Sequence, residues 1–316
     1  MYASVCAMKA PARALLASLV LSLCVSGCAS SGDDKGDLGT PNPDQGPTNP
    51  LVAARPYESR VPDSYDSKKP TPLVILLHGY GASGLVQDLY FGFSLLYGRF
   101  GFLYAFPDGT TDSQGKQFWN ANDVCCDFNH TGVDDVAYID AIISDMSAHY
   151  NVDPQRIYLV GHSNGGFMSH RYACDRANRV AAIVSLAGAV WKDQARCQPS
   201  EPVAVLEVHG DKDDSVPYAG STMGAISLPS AEETVSDWAA KNGCTGTVDR
   251  SAPPLDLESM LAGAETRVDS WPGCKPGGAA ALWTIQGGSH VPTFNRPTWG
   301  EQVWGWFAAH PKPQHP

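Results

Sequence analysis

The chain predicts an α/β fold: a mostly parallel central sheet with helices on both faces, in a single domain. Three observations carry this expectation. Short apolar runs recur along the chain. Helical segments separate them. Glycine-rich polar turns follow several of the runs, which is where a parallel sheet presents its ligand site.

The apolar runs are Leu73–Leu77, Phe102–Phe106, Ile157–Val160, Ala182–Leu186, Val203–Val208 and Ala281–Ile285. Each is nearly continuous in apolar residues rather than alternating, as a strand buried on both faces requires. Between them, Asp134–Tyr150 sets Val136, Ile139, Ile143 and Met146 at three- and four-residue spacing. Asp134 and Asp135 suit the positive end of that helix by capping and by charge. Phe167–Ala177, Ala231–Lys241 and Trp299–Ala309 are the other helical segments.

Ahead of the first strand the chain changes character. Lys9 and Arg13 precede an apolar stretch from Ala14 to Val25, the pattern of a secretory signal. Met8 is an alternative start that would place Lys9 directly after the initiator. The stretch falls short of the roughly 18 apolar residues a membrane-spanning helix needs. It closes with Val25-Ser26-Gly27-Cys28, which resembles a bacterial lipobox. Cys28 is then the lipidation site, residues 1–28 are a lipoprotein signal, and membrane contact runs through that anchor alone. Residues 29–50 are rich in Ser, Gly, Asp, Pro, Asn and Thr and read as a disordered tether. Residues 51–311 are expected to form the folded domain, exported to the cell envelope.

Removing residues 1–28 takes two basic residues and no acidic one, so the formal charge falls from −11 to −13. That argues against nucleic acid as a partner. Six of the nine cysteines lie in the domain: Cys125, Cys126, Cys174, Cys197, Cys244 and Cys274. An even number in an exported chain suggests disulfides. Cys174–Cys197 and Cys244–Cys274 would each tie neighbouring elements, which leaves Cys125 and Cys126 to each other. No C-x₂-C spacing occurs, so neither metal nor cofactor is expected.

Four segments carry the chemistry. Gly161-His162-Ser163-Asn164-Gly165 follows a strand and opens a helix. A serine on so tight a turn is lifted out of the sheet towards solvent. A free serine hydroxyl is a poor nucleophile and needs a base. His290, in Gly287-Gly288-Ser289-His290 after the last apolar run, is that base. The acid that orients it lies in His209-Gly210-Asp211-Lys212-Asp213-Asp214-Ser215-Val216-Pro217. Asp213 is the choice among three aspartates because it sits at the middle of the turn. His78-Gly79-Tyr80-Gly81 follows the first run, and its backbone offers one oxyanion donor, the Tyr80 N–H. The Asn164 N–H offers the other. His78 and His162 read as structural supports, and His170 and His209 as structural or exposed. Trp119, in the loop after Phe102–Phe106, is the candidate platform for a substrate ring.

The order Ser163, Asp213, His290 is that of the α/β-hydrolase fold. With Pro72–Gly79, Tyr104–Gly109, Gly132–Val136, the serine turn, the His209–Tyr218 segment and the Gly-Gly-Ser-His loop, the chain resembles the exported feruloyl esterase, acetyl xylan esterase and poly(3-hydroxybutyrate) depolymerase-like esterases, over about residues 55–310. The resemblance implies a serine carboxylesterase with no cofactor, acting on a small ester or an esterified polysaccharide or oligomer. It carries Ser163, Asp213 and His290 over as the triad. Many members have Leu-Ser-Ala where this chain has His162-Ser163-Asn164, which bears on the substrate subgroup. Twenty-six residues follow His290, so a separate polymer-binding module and a solid polyester substrate are not expected. A peptidase on this fold would bring a large access-restricting domain, which the tether does not supply. A catalytically dead binding protein would lack part of the triad.

Overall fold

The computed structural model of the chain describes residues 49–313 except 224 and 225. Cys28, the 1–28 signal segment and tether residues 29–48 lie outside the described residues. The tether was expected to reach residue 50, but Asn49 caps a short helical turn, Pro50–Ala54, its side-chain oxygen accepting the Leu51 N–H at 3.0 Å.

Among the described residues the centre is an eight-stranded sheet. Its strands are β1 (Glu58–Arg60), β2 (Thr71–Leu77), β3 (Leu103–Phe106), β4 (Val152–His162), β5 (Ala182–Leu186), β6 (Ala204–Gly210), β7 (Thr266–Ser270) and β8 (Ala279–Ile285). They lie side by side as β1-β3-β2-β4-β5-β6-β8-β7. The six inner strands pair parallel; β1 and β7 close the two edges antiparallel. The six predicted apolar runs are those six inner strands.

Among the described residues five helices of eight or more residues cover the faces: α1 (Gly84–Phe91), α2 (Asp135–His149), α3 (Asn164–Asp175), α4 (Ala231–Lys241) and α5 (Arg296–Ala309). The pleat divides the core. Leu73, Ile75 and Leu77 of β2 pack in one cluster with Ile139, Ile142 and Met146 of α2 and Phe167 of α3. Val74 and Leu76 point the other way, into a cluster with Phe91 of α1 and Trp299, Val303 and Phe307 of α5. Burial on both faces explains why these strands are nearly continuous apolar runs.

Strand register brings the polar turns together. Leu77 pairs with Gly161, and His162 with Leu186, so the turns after β2, β4 and β5 leave the sheet side by side. Ile285 pairs with Gly210, so the turns after β6 and β8 are also neighbours. All lie at the carboxyl ends of the parallel strands.

Candidate active site

Ser163 links β4 to α3 with φ 51° and ψ −119°. A non-glycine residue at positive φ is uncommon and is held there by its surroundings. Its N–H donates to Leu186 O at 2.7 Å, and its carbonyl accepts the Phe167 N–H at 2.9 Å. The flanking glycines are required by space. A Cβ at Gly161 would lie 2.2 Å from Gly165 O, and one at Gly165 would lie 2.1 Å from Leu77 O. Ser163 itself stays partly exposed while His162 and Asn164 are buried.

The turn after β2 is locked by His78, which is fully buried. The Gly109 N–H donates to His78 Nε2 at 2.8 Å, so the ring proton sits on Nδ1 and goes to Gly79 O, also at 2.8 Å. Burial lowers this imidazole's pKa, which keeps it neutral. The Gly79 N–H is taken by Gln87 Oε1 at 3.2 Å. Asn164 opens α3, where the first N–H groups have no intrahelical partner. Its side chain is clamped to the Trp119 backbone: Oδ1 accepts the Trp119 N–H at 2.7 Å, and Nδ2 donates to Trp119 O at 2.8 Å.

The expectation for Trp119 is corrected here. Trp119 is fully buried, its Nε1–H donates to His78 O at 3.0 Å, and its ring stacks on Tyr138. An indole enclosed on all sides offers no face to a substrate. It ties the turn after β2 to the Asn164 clamp instead. The aromatic exposed at this rim is Phe128, 60% accessible and edge-on to Tyr80 at 5.3 Å.

Across the sheet the turn after β6 meets the turn after β8. Asp211 N–H donates to Ile285 O at 3.1 Å and Lys212 N–H to Gly288 O at 2.9 Å. This places Asp213 Oδ2 2.8 Å from His290 Nδ1. Asp213 Oδ1 accepts the Ser215 and Val216 N–H groups at 2.9 and 2.8 Å. Burial alone would raise the Asp213 carboxyl, but His209, His290 and the Val216 N–H outweigh it and hold it well below the usual carboxylate range. Asp211 accepts from the Gly287 N–H at 2.7 Å, and Asp214 lies within reach of Ser215 Oγ at 3.3 Å. Of the three aspartates, Asp213 is the one hydrogen-bonded to His290. His162 Nε2–H donates to His290 O at 2.9 Å, so the residue before the serine fixes the backbone of the histidine loop. Burial and the neighbouring His290 push the His162 ring down to about 4, which leaves it neutral.

Shallow clefts flank these turns. One of about 470 Å³ is walled by Tyr80, Ser83 and Val86. Another of about 390 Å³ is walled by Tyr90, Val291 and Phe294, directly after His290. A third, about 860 Å³, is lined by Asn120, Asp123, Phe128, Arg171, Trp191 and Arg196 among others, and not by Ser163. Cys125 on its wall is bonded to Cys126; Cys174 is bonded to Cys197 and Cys244 to Cys274. Among the described residues no cluster of His, Cys, Asp and Glu is arranged to hold a metal, and no helix is long and apolar enough to cross a membrane.

Sequence reading missed two residues joined to this site. His209 lies 3.3 Å from Asp213 Oδ2, and Glu207 lies behind it. The available signal was a glutamate inside the apolar run Val203–Val208.

Comparison with known proteins agrees with the fold. A sequence profile of the phospholipase/carboxylesterase family matches residues 64–237. The chain is 29% identical over 248 residues to "Feruloyl esterase B" of Piromyces equi, covering 76% of this chain and 43% of that protein. It therefore spans less than half the length of that relative. It is 26% identical over 261 residues to "Feruloyl esterase D" of Neurospora crassa, covering 79% and 78%. Among solved structures, an acetyl xylan esterase from Aspergillus awamori superposes with a TM-score of 0.59 at 16% identity, covering 80% of this chain and 93% of that one. At that identity the likeness is one of fold.

Proposed function

The chain belongs to the phospholipase/carboxylesterase family, and from that premise we propose that it is a serine carboxylesterase working through Ser163, His290 and Asp213. The observation that carries the reading is the pairing of a serine at positive φ on a strand-to-helix turn with a histidine–aspartate hydrogen bond of 2.8 Å at the same end of the sheet. His290 takes the Ser163 proton as the hydroxyl attacks the ester carbonyl. The Tyr80 and Asn164 N–H groups hold the developing oxyanion, a contribution of about 10²–10³ in rate per donor. Asp213 keeps Nδ1–H on His290 and stabilises the imidazolium. His290 returns the proton to the leaving alcohol, and water then cleaves the acyl-enzyme by the same route.

The substrate proposed is a feruloyl or acetyl ester of a plant cell-wall polysaccharide. The names of the relatives support it, as do the exposed Phe128 and the cleft that it lines. Export with a lipid on Cys28 completes the proposal; the apolar stretch ahead of that cysteine supports it. Palmitate labelling of cells is expected to mark the wild-type chain and not Cys28→Ser, and label on the variant removes the anchor.

The test of the reaction is hydrolysis of methyl ferulate, p-nitrophenyl acetate and a 3-hydroxybutyrate oligomer by the wild type and by Ser163→Ala. Ferulate and acetate are expected to be cleaved, with turnover lost in the variant. Near wild-type turnover in Ser163→Ala would show the nucleophile to be wrong. Preference for the oligomer would move the substrate to polyesters, and cleavage of peptides alone would move the reaction to peptidases.

A further inference from the structure

Behind Asp213 runs a second buried polar chain that the proposed reaction does not use. Glu207 on β6 is fully buried. Its Oε1 lies 3.1 Å from His209 Nδ1 and accepts the Gly188 N–H at 3.1 Å. Its Oε2 lies 3.0 Å from His170 Nε2. The proton positions follow from what each group is able to donate. An indole N–H only donates, and Trp238 Nε1–H points at His170 Nδ1 at 3.0 Å. His170 therefore carries its proton on Nε2 and gives it to Glu207. A carbonyl only accepts, and His209 Nε2 lies 2.8 Å from Val216 O, with Asp213 Oδ2 at 3.3 Å. His209 is therefore protonated on Nε2. A further proton lies between His209 Nδ1 and Glu207 Oε1, since two bare acceptors would repel at that distance. Glu207 already accepts from Gly188 and His170, which favours its carboxylate form and puts the proton on Nδ1.

We propose that His209 is an imidazolium throughout the neutral pH range, held between the Glu207 and Asp213 carboxylates, that positions the catalytic acid and draws off part of the negative charge it presents to His290. The proposal rests on the reading of Ser163, His290 and Asp213 given above. The surroundings agree with it. Burial opposes a charge on His209, and the two carboxylates with the Val216 carbonyl outweigh burial and raise the ring to about 9. The other titratable groups that face this cluster are His170 on α3, neutral by its tautomer; His162 on β4, neutral by burial; His290 beyond Asp213; and the Tyr218 ring, edge-on to His209 at 5.7 Å. Tyr218 OH is bonded to Thr284 Oγ1 at 2.9 Å, and Thr284 is the residue paired with His209 across β8. The cation at 209 therefore has two anions beside it, and the Arg267 guanidinium, which reaches Thr284 Oγ1 at 3.4 Å, is itself paired with Asp269.

A cation beside Asp213 weakens the carboxylate's support for the His290 imidazolium. Removing it leaves the full charge of Asp213 to His290, raises the base's pKa and moves the acidic limb of the kcat/KM profile to higher pH. One neighbouring charge at this range is worth about 1 pH unit or more. A merely structural role would lower activity without moving the limb.

The experiment uses the full chain labelled with ¹⁵N-histidine. The protonation of the His209 ring is read by nitrogen–proton correlation from about pH 5 to 8, around the ordinary histidine pKa, alongside pH profiles on p-nitrophenyl acetate for the wild type, His209→Gln and Glu207→Gln. The expected result is a doubly protonated His209 ring throughout, loss of its Nδ1 proton in Glu207→Gln, and an acidic limb shifted upward in both variants. A singly protonated ring at neutral pH in the wild type overturns the proposal, as does an unmoved limb in folded variants. If the variants do not fold, the wild-type spectrum alone decides the charge. Unchanged turnover in Ser163→Ala sinks the reading of the site, a result separate from the protonation of His209.

Discussion

Asp213→Asn is the substitution whose consequence is most fully determined by the geometry. Three N–H donors converge on this carboxylate: Ser215 N at 2.9 Å and Val216 N at 2.8 Å on Oδ1, and His290 Nδ1 at 2.8 Å on Oδ2, while the His209 ring, its Nε2–H given to Val216 O, lies 3.3 Å from Oδ2. Asparagine keeps one acceptor oxygen. The two backbone donors have no freedom to turn away, so the oxygen stays with them and the NH₂ group faces His290. His290 must then present a lone pair at Nδ1 and carry its proton on Nε2, the nitrogen that should receive the serine proton. The base is in the wrong tautomer before the reaction begins. Loss of the charge-assisted bond is worth about 1.5–3 kcal/mol on its own. With the tautomer reversed, the same substitution in the Ser-His-Asp template costs about 10⁴ in kcat. A fall in kcat of about 10³–10⁴ is expected, equivalent to about 4–5.5 kcal/mol. Asp211→Asn is the control. Its carboxylate is partly exposed, lies 3.8 Å from Lys212 Nζ and accepts the Gly287 N–H, a bond the amide oxygen also accepts. It should stay within about tenfold of wild type, the range of a surface substitution worth no more than about 1 kcal/mol. The assay is kcat on p-nitrophenyl acetate with purified protein whose thermal melt shows it folded. A larger loss in Asp211→Asn than in Asp213→Asn refutes the choice of acid.

Three further outcomes are expected. Trp119→Phe should leave the ring volume largely filled but strand His78 O without a partner; a cost of about 1–3 kcal/mol in thermal unfolding is expected, with KM for methyl ferulate unchanged. A raised KM at unchanged stability would put Trp119 back at the substrate. Gly165→Ala drives a Cβ to 2.1 Å from Leu77 O, where neither backbone yields, and should lower stability by about 3 kcal/mol or more. Gly98→Ala, with nothing within 4 Å of the new Cβ, is its control and should be neutral. Stability should also peak near neutral pH. His209, raised to about 9, contributes stability that is complete below its unfolded pKa near 6.5 and is lost as pH climbs through about 9. His162, depressed to about 4, acts in the opposite window: the folded state loses ground as pH falls from about 6.5 towards 4, because the unfolded chain takes up the proton first. Thermal melts across this range test both, and a melting temperature flat from pH 4 to 9 would contradict them.

The parts of the fold legible in the sequence are those where one physical demand dominates. A strand buried on both faces has to be nearly all apolar, so Leu73–Leu77 and Ala182–Leu186, in which Ser185 is the one polar residue, declare themselves. A serine that must stand clear of a tight turn needs small neighbours, so Gly161 and Gly165 announce the elbow. Where two demands compete, the pattern misleads. The helix Gly84–Phe91 is inverted: Leu85, Val86 and Leu89 are exposed, while Gln87 and Asp88 are buried, bonded to the Gly79 N–H and the Tyr104 hydroxyl. Leu85, Val86 and Leu89 line clefts while Phe91 enters the core, so no amphipathic period marks it as a core helix. The edge strand Thr266–Ser270 hides for a similar reason, since Asp269 is buried against Arg267 at 2.9 Å and breaks the apolar alternation. Trp119 was read as a platform because a loop aromatic near a nucleophile is free to stack on a ligand. The sequence carries no sign that the Asn164 amide would claim the backbone of that loop and carry the indole inward.

Glu207 is the sharpest case. A carboxylate within Val203–Val208 is costly to bury unless other groups satisfy it, and that demand is visible in one dimension. The groups that meet it are not. His170 lies 37 positions earlier on α3, Gly188 follows β5, and His209 is two residues on, facing the same side of its strand. They converge because β5 and β6 are neighbours in register, α3 packs on β4 and β5, and α4, which packs on β6, brings Trp238 to His170. A glutamate in a buried strand thus predicts that a polar network exists, and the topology decides that this one ends on the carboxylate that holds His290.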